Sequence, residues 1–137
     1  MEEKSEFYTL VGYRKKEDNP MTEAMEDYLE MIYREHLNHK KITVKELAQQ
    51  LNVKPSSVSK MIERMRIQEL VTQEKYGTVF LTEKGFQFGK YLLWRHEILE
   101  TFFKMVNQND YKLELVEKIE HFIDPITLEH MKEWIKK

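Results

Sequence analysis

The stretch from Thr43 to Leu81 reads as a short capped helix, a tight turn, a second helix and a two-stranded hairpin, and few folds accept that order. Thr43 and Glu46 stand in a T-x-x-E capping box at the head of Val44-Lys45-Glu46-Leu47-Ala48-Gln49-Gln50-Leu51, a pattern whose side chains satisfy N–H groups that the first helical turn leaves unpaired. Asn52-Val53 supplies the turn. Pro55 opens the next helix at a position where its missing N–H costs nothing, and Val58, Met61, Ile62 and Met65 give it an apolar stripe reaching about Leu70. There the period changes. Leu70–Glu74 and Thr78–Leu81 predict two short strands around Tyr76-Gly77. The expectation is a mainly α chain with a small β-hairpin wing, a winged helix-turn-helix.

The flanks are helical. Met25, Tyr28, Leu29, Ile32 and Tyr33 recur at three- and four-residue spacing behind Thr22, a plausible N-cap. Thr82 caps a long helix carrying Phe86, Leu93, Leu99, Phe102 and Phe103, which Asn107-Gln108-Asn109-Asp110 ends. Two more helices are predicted, over residues 111–122 and, after Asp124-Pro125, over 127–135. The hydrophobic fraction of 41% suffices for a core, and no segment approaches the length of a membrane span. With no signal-like start either, a cytoplasmic location is expected. Residues 1–20 form a charged arm around Phe7-Tyr8-Thr9-Leu10-Val11-Gly12-Tyr13. That arm is either an added strand or packed extension, or a segment ordered only on binding.

In the second helix of the motif, Ser56, Ser57, Ser59 and Lys60 lie opposite the apolar stripe. A helix entering the major groove needs small polar and basic residues there. Hydroxyls bond base edges or phosphates, and Lys54, Lys60, Arg64 and Arg66 offer cations to the phosphates. Lys54 and Pro55 lie at the helix N-terminus, which itself favours a phosphate. Lys75, Tyr76 and Gly77 form a wing tip placed to touch the backbone or minor groove. Each feature alone is ordinary helix or turn chemistry. Their ordered combination points to double-stranded DNA. The net charge of −2 does not oppose this, since a DNA reader needs positive charge on one face only.

The chain has no cysteine, so any metal site uses oxygen and imidazole donors. Asp27 and Glu30 are three apart in the first helix, and Glu117, Glu120 and His121 stand at i, i+3 and i+4 in a later one. His96 in the long helix is a third contributor. Four carboxylates and two imidazoles suit one or two divalent ions, manganese or ferrous iron, with zinc also admissible. An E-x-x-E-H run by itself is commonly a solvated face. The stretch His96-Glu97-Ile98-Leu99-Glu100 invites comparison with the zinc-protease motif H-E-x-x-H, but Glu100 stands where the second histidine belongs and that reading is rejected.

The segments Met25-Glu26-Asp27-Tyr28-Leu29-Glu30-Met31-Ile32-Tyr33, Pro55-Ser56-Ser57-Val58-Ser59-Lys60-Met61 and Arg95-His96-Glu97-Ile98-Leu99-Glu100, with E-x-x-E-H at 117–121, resemble the DtxR/MntR family of metal-dependent transcriptional repressors over roughly residues 21–135. The resemblance is greatest to the manganese-sensing branch, which has carboxylates at the positions of Asp27 and Glu117. It implies the ligand set Asp27, Glu30, His96, Glu117, Glu120 and His121, a homodimer formed through the C-terminal helices, and repression of metal-uptake genes at a palindromic operator. The implied division is an arm over 1–20, a DNA-binding domain over 21–82 and a helical metal-binding and dimerisation domain over 83–137. The arm is extra to shorter members of the family, and the chain stops soon after Trp134 without the SH3-like domain of the longer iron sensors. Lys118 sits inside the ligand motif, a cation that would weaken a second metal.

Two other functions are compatible with parts of the pattern. A winged-helix regulator could answer to iron or to a non-metal ligand. A small di-metal hydrolase could use the same carboxylates, but no nucleophile or phosphate-cradling loop accompanies them, and an enzyme is not expected.

Overall fold

Thr22 adopts an extended backbone and its Oγ1 accepts the N–H of Met25 at 3.1 Å, which starts helix α1 (Glu23–Leu37) where the sequence places it. The computed structural model describes residues 21–74, 77–108 and 110–137; the expected arm over residues 1–20, and Lys75 and Tyr76 of the expected wing tip, lie outside them. The α1 stripe Met25, Tyr28, Leu29, Ile32 and Tyr33 is buried. Two residues, Ile42–Thr43, form strand β1, followed by α2 (Val44–Leu51) and α3 (Pro55–Ile67). Thr43 caps α2 by accepting the N–H of Glu46 at 3.2 Å, while its hydroxyl donates to the Glu46 carboxylate at 3.0 Å. Asn52 closes α2 in the left-handed conformation, φ +55°, which asparagine tolerates better than most residues.

Strands β2 (Val71–Gln73) and β3 (Thr78–Leu81) form the expected hairpin, with Gly77 at φ +79°. The sheet has a third strand that hydrophobic pattern did not predict. β1 pairs antiparallel with β3, giving the order β1-β3-β2, with Ile42 opposite Val79. Val58, Ile62 and Met65 of α3 join Leu29, Leu47, Leu70, Val71 and Val79 in one core beneath the sheet. Helix α3 ends at Ile67, three residues before the expected limit, because Glu69 turns to φ +62° and the Leu70 N–H bonds back to the Met65 carbonyl at 2.9 Å.

Helix α4 (Glu83–Asn107) begins at Thr82, which accepts the Gly85 N–H at 3.0 Å. It runs antiparallel to α1, with Tyr33 against Gly89 and Glu26 against Arg95. The two helices meet so closely at Gly89 that a Cβ there would lie 2.7 Å from the Tyr33 Cβ. The remaining helices are α5 (Leu113–Ile119) and α6 (Pro125–Ile135), shorter and longer, respectively, than expected. A 3-10 turn over Glu120–Phe122 follows α5, and Asp124 caps α6 by accepting the Thr127 N–H at 2.6 Å. Ile98, Leu99, Val116 and Leu128 form a second, smaller core between α4, α5 and α6. Among the described residues no helix is long and apolar enough to cross a membrane.

Candidate metal centre and nucleic-acid interface

Where α1 passes α4 and the turn after α5, acidic and imidazole side chains converge from all three. Ligand atoms of Asp27, Glu120 and His121 lie within 4.8 Å of one another, and so do those of Glu30, His96 and Glu120. Glu120 belongs to both groups. It is buried, at 2% exposure, because the helix tightens into a 3-10 turn at that residue and draws it under α4. The same tightening separates the three members of the E-x-x-E-H run. Glu120 and His121 turn inward, whereas Glu117 stays exposed and lines the two flanking clefts, in each case beside Asp27.

His121 places Nε2 3.2 Å from Asp27 Oδ1 and Nδ1 2.7 Å from Glu26 Oε1. Burial pulls its pKa down, but hydrogen bonds to Asp27 and Glu26 and their charges outweigh that and raise it to about 9. His96 is held between two carboxylates, Nδ1 at 2.9 Å from Glu120 Oε2 and Nε2 at 3.0 Å from Glu100 Oε2. Its hydrogen bond to Glu120 raises its pKa above the usual imidazole range against the opposing effect of burial. Burial and the nearby Glu120 charge push the Glu30 carboxyl up, although Arg34 pulls it the other way.

Three residues at the centre, Glu100, Glu26 and Arg34, were not among the expected ones. Glu100, set aside with the protease motif, reaches His96, and it also accepts from Tyr111 Oη at 3.2 Å and pairs with Lys104 at 2.9 Å. The i, i+4 spacing from His96 was its one available signal. Glu26, next to Asp27, contacts His121 and the buried Arg95. The cation touching a proposed ligand is Arg34, 2.9 Å from Glu30, and not Lys118, whose ammonium pairs with Glu114 at 2.9 Å.

The donor set fits a divalent cation of hard or borderline character. Carboxylates predominate, imidazoles complete each group, and the described residues bring together groups from three helices that would otherwise repel. One of the two clefts runs from Asp27, Glu30, Glu117 and Glu120 to Gln50 and Leu51 at the end of α2, so the centre adjoins the helix-turn-helix.

On α3 the buried residues Val58, Ile62 and Met65 leave Lys54, Pro55, Ser56, Ser57, Ser59, Lys60 and Arg64 on the exposed side. Arg66, also considered for phosphates, is tied to Glu63 through two bonds of 2.9 and 2.6 Å. Gly77 lies beside the start of α2, where a Cβ added to it would stand 3.9 Å from the Val44 nitrogen, so the hairpin end and the α2 N-terminus share one edge of the domain.

Both parts of the chain are similar to known proteins. Residues 20–79 match the family described as iron dependent repressor, N-terminal DNA binding domain, and residues 82–137 match iron dependent repressor, metal binding and dimerisation domain. The chain is 40% identical over 103 residues to the HTH-type transcriptional regulator MntR of Bacillus subtilis, covering 74% of this chain and 72% of that protein. It is 41% identical over 103 residues, with the same coverage, to the regulator of that name from Shouchella clausii. Among solved structures it is similar to the manganese regulator SloR, with TM-score 0.72 and 29% identity over 85% of this chain, and to the metal-dependent transcriptional regulator MtsR, with TM-score 0.73 and 28% identity over 85%. The chain spans 55% of the length of each of those two. The names of the matched families and relatives describe regulators rather than enzymes.

Proposed function

Because the chain belongs to the iron-dependent repressor family, we propose that it is a manganese-responsive transcriptional repressor that binds a palindromic operator as a homodimer when divalent ions occupy the centre between α1, α4 and the turn after α5. The observation that carries this reading is the convergence of Asp27 and Glu30 from α1 with His96, Glu120 and His121 from the C-terminal half. The MntR relatives and the manganese regulator SloR favour manganese over iron or zinc. Asp27, Glu30, His96, Glu117, Glu120 and His121 hold one or two ions per subunit. Ferrous iron and zinc suit the same oxygen and imidazole donors.

An ion here supplies positive charge to carboxylates drawn from two halves that meet near residue 82. Without it, His121 bridges α1 to the turn after α5 through Glu26 and Asp27, and an ion adds Glu30, His96 and Glu120 to that bridge, so that one relative placement is preferred. Helix α1 contacts the reading head directly, through its shared core and the Gln50–Glu35 bond at 3.4 Å. Ion binding therefore narrows the range of orientations open to α2 and α3. In a two-fold dimer, two α3 helices then meet successive major grooves about 34 Å apart. Lys54, Ser56, Ser57, Ser59, Lys60 and Arg64 face the duplex, with Pro55 fixing the helix start and the wing tip at Lys75, Tyr76 and Gly77 touching the backbone. By linkage, ion and operator strengthen each other's binding equally.

Dimerisation through the C-terminal half is supported by its uncovered apolar side chains, among them Ile126 at 70% and Trp134 at 60% exposure, with Leu113 and Leu115. The genes controlled are those of metal uptake, and the site of action is the cytoplasm. The deciding experiment is operator binding titrated with manganese, ferrous iron and zinc in parent and E120A/H121A proteins. The double variant is expected to remain a folded dimer and to lose ion-stimulated binding. Normal manganese stimulation in that variant overturns the assignment.

A further inference from the structure

Glu26 is not one of the proposed ligands, yet it makes the shortest contact of any carboxylate with His121. Its Oε1 lies 2.7 Å from Nδ1, while Asp27 Oδ1 lies 3.2 Å from Nε2 on the opposite edge of the ring. The imidazole is thus clamped between consecutive residues of α1. Glu26 is itself fixed by Arg95 of α4, whose Nη1 lies 3.3 and 3.5 Å from its two oxygens and whose Nη2 lies 3.5 Å from Oε1. Arg95 is only 3% exposed, and its Nε has no hydrogen-bond partner among the described residues. The guanidinium therefore depends on Glu26, and Glu26 has little freedom to leave His121.

From this chain of contacts we infer that Glu26, anchored by Arg95, is a positioning residue for the cation centre: it accepts the Nδ1 proton of His121 and so presents Nε2, with its lone pair, on the Asp27 side. The inference rests on the cation reading above and assigns a task that the ligand set leaves open. A neutral imidazole carries one ring proton, and the group that accepts it decides which nitrogen is left for an ion. Here a carboxylate occupies the Nδ1 side and is held by a buried cation. Removing Glu26 allows the ring to exchange tautomers or turn over, and leaves Arg95 without its counter-charge next to the centre. Outer partners of this kind typically alter metal affinity by about 10–100-fold.

The test uses the full chain and Mn2+ as probe, with binding measured by calorimetry at constant pH in parent, E26A and E26Q proteins. E26A is expected to bind about 10–100-fold more weakly than the parent. E26Q, whose amide oxygen still accepts from Nδ1, is expected to fall between them, at about threefold to tenfold weaker. It is nearly isosteric and serves as the deciding variant if E26A does not fold. In Cd2+-loaded protein, long-range proton–nitrogen NMR is expected to show the His121 proton on Nδ1 in the parent and a mixed or reversed pattern in E26A. E26Q affinity within twofold of the parent, or an unchanged His121 nitrogen pattern in folded E26A, overturns the positioning role and leaves the cation site standing. A parent that binds no Mn2+ overturns the cation site itself, together with this role.

Discussion

Asp27 Oδ1 and His121 Nε2 lie 3.2 Å apart although 94 positions separate them in the sequence. Asp27 stands on α1, within the matched DNA-binding domain, and His121 stands in the matched metal-binding and dimerisation domain. Their side chains differ in access: that of Asp27 is 53% exposed and that of His121 only 5%. An ion arriving from solvent meets the Asp27 carboxylate at the surface and the imidazole at the floor.

The protonation of that floor predicts a pH dependence. His121, raised to about 9, carries its second ring proton at neutral pH in the ion-free protein, and the raised pKa of His96 works in the same direction. An ion must displace that proton. Mn2+ binding is therefore expected to release protons and to tighten as pH rises from about 6.5 toward 9, by up to tenfold per pH unit for each proton released. Ion-free stability moves the opposite way. Because the folded pKa of His121 exceeds its unfolded value, the stabilisation is fully present below pH 6.5 and is lost as pH climbs through about 9. Calorimetry in buffers of different ionisation heat counts the protons. A proton count of zero sinks the prediction.

Arg34 sets a second expectation. Its guanidinium holds Glu30 from 2.9 Å and occupies one side of the group formed with His96 and Glu120. Replacing it by methionine is expected to strengthen Mn2+ binding at the Glu30 side about twofold to fivefold, in line with losing one partly solvated ion pair. K118A, by contrast, is expected to change Mn2+ binding by no more than twofold, since Lys118 is engaged with Glu114. Elemental analysis of ions retained per subunit, alongside calorimetry, separates these outcomes. Parental stoichiometry and affinities in R34M count against Arg34 as a competitor.

Element starts were the most legible features, because their chemistry is local. Thr22, Thr43 and Thr82 each accept a backbone N–H three residues on, as their sequence contexts imply, whereas Asp124 does the same for a helix that starts two residues before its expected limit. Strand β1 was not legible. Two residues carry no period, and Ile42–Thr43 becomes a strand only because β3 passes beside it. The 3-10 turn at Glu120 was equally hidden, so i, i+3, i+4 spacing suggested one shared face for residues that the fold divides between buried and exposed positions. Spacing can nominate ligands within an element. It says nothing of partners such as Glu26 and Arg95, which meet only when α1 packs against α4.

The exposed side of α3 predicts two classes of DNA-binding effect. Lys60→Ala is expected to weaken operator and unrelated DNA alike and to reduce the slope of log affinity against log salt by about 1, as for one lost phosphate contact. Ser57→Ala is expected to cost about 0.5–1.5 kcal/mol on the operator and much less on unrelated DNA, as for one lost hydrogen bond to a base. R66A is the control, since Arg66 is committed to Glu63. Fluorescence anisotropy across a salt series with saturating Mn2+ distinguishes them. An R66A effect as large as that of K60A argues that another face meets the phosphates.

Gly89 predicts a defect that joins stability to the ion centre. A Cβ at this position lies 2.7 Å from Tyr33 Cβ and 2.8 Å from Tyr33 Cγ, atoms near the base of a buried side chain that cannot swing aside. In G89A the helices α1 and α4 must move apart, at an overpacking cost of about 1–3 kcal/mol. For a chain of this size that lowers the ion-free melting temperature by roughly 3–10 °C. The same helices carry Asp27 and Glu30 on one side and His96 on the other, so their separation also pulls the ligand atoms apart. The rise in melting temperature produced by saturating Mn2+ is therefore expected to be smaller in G89A than in the parent. A parental melting temperature in G89A means that the crossing point is not tight. A lowered melting temperature with a full Mn2+-dependent rise means that the centre tolerates the movement of α1 against α4.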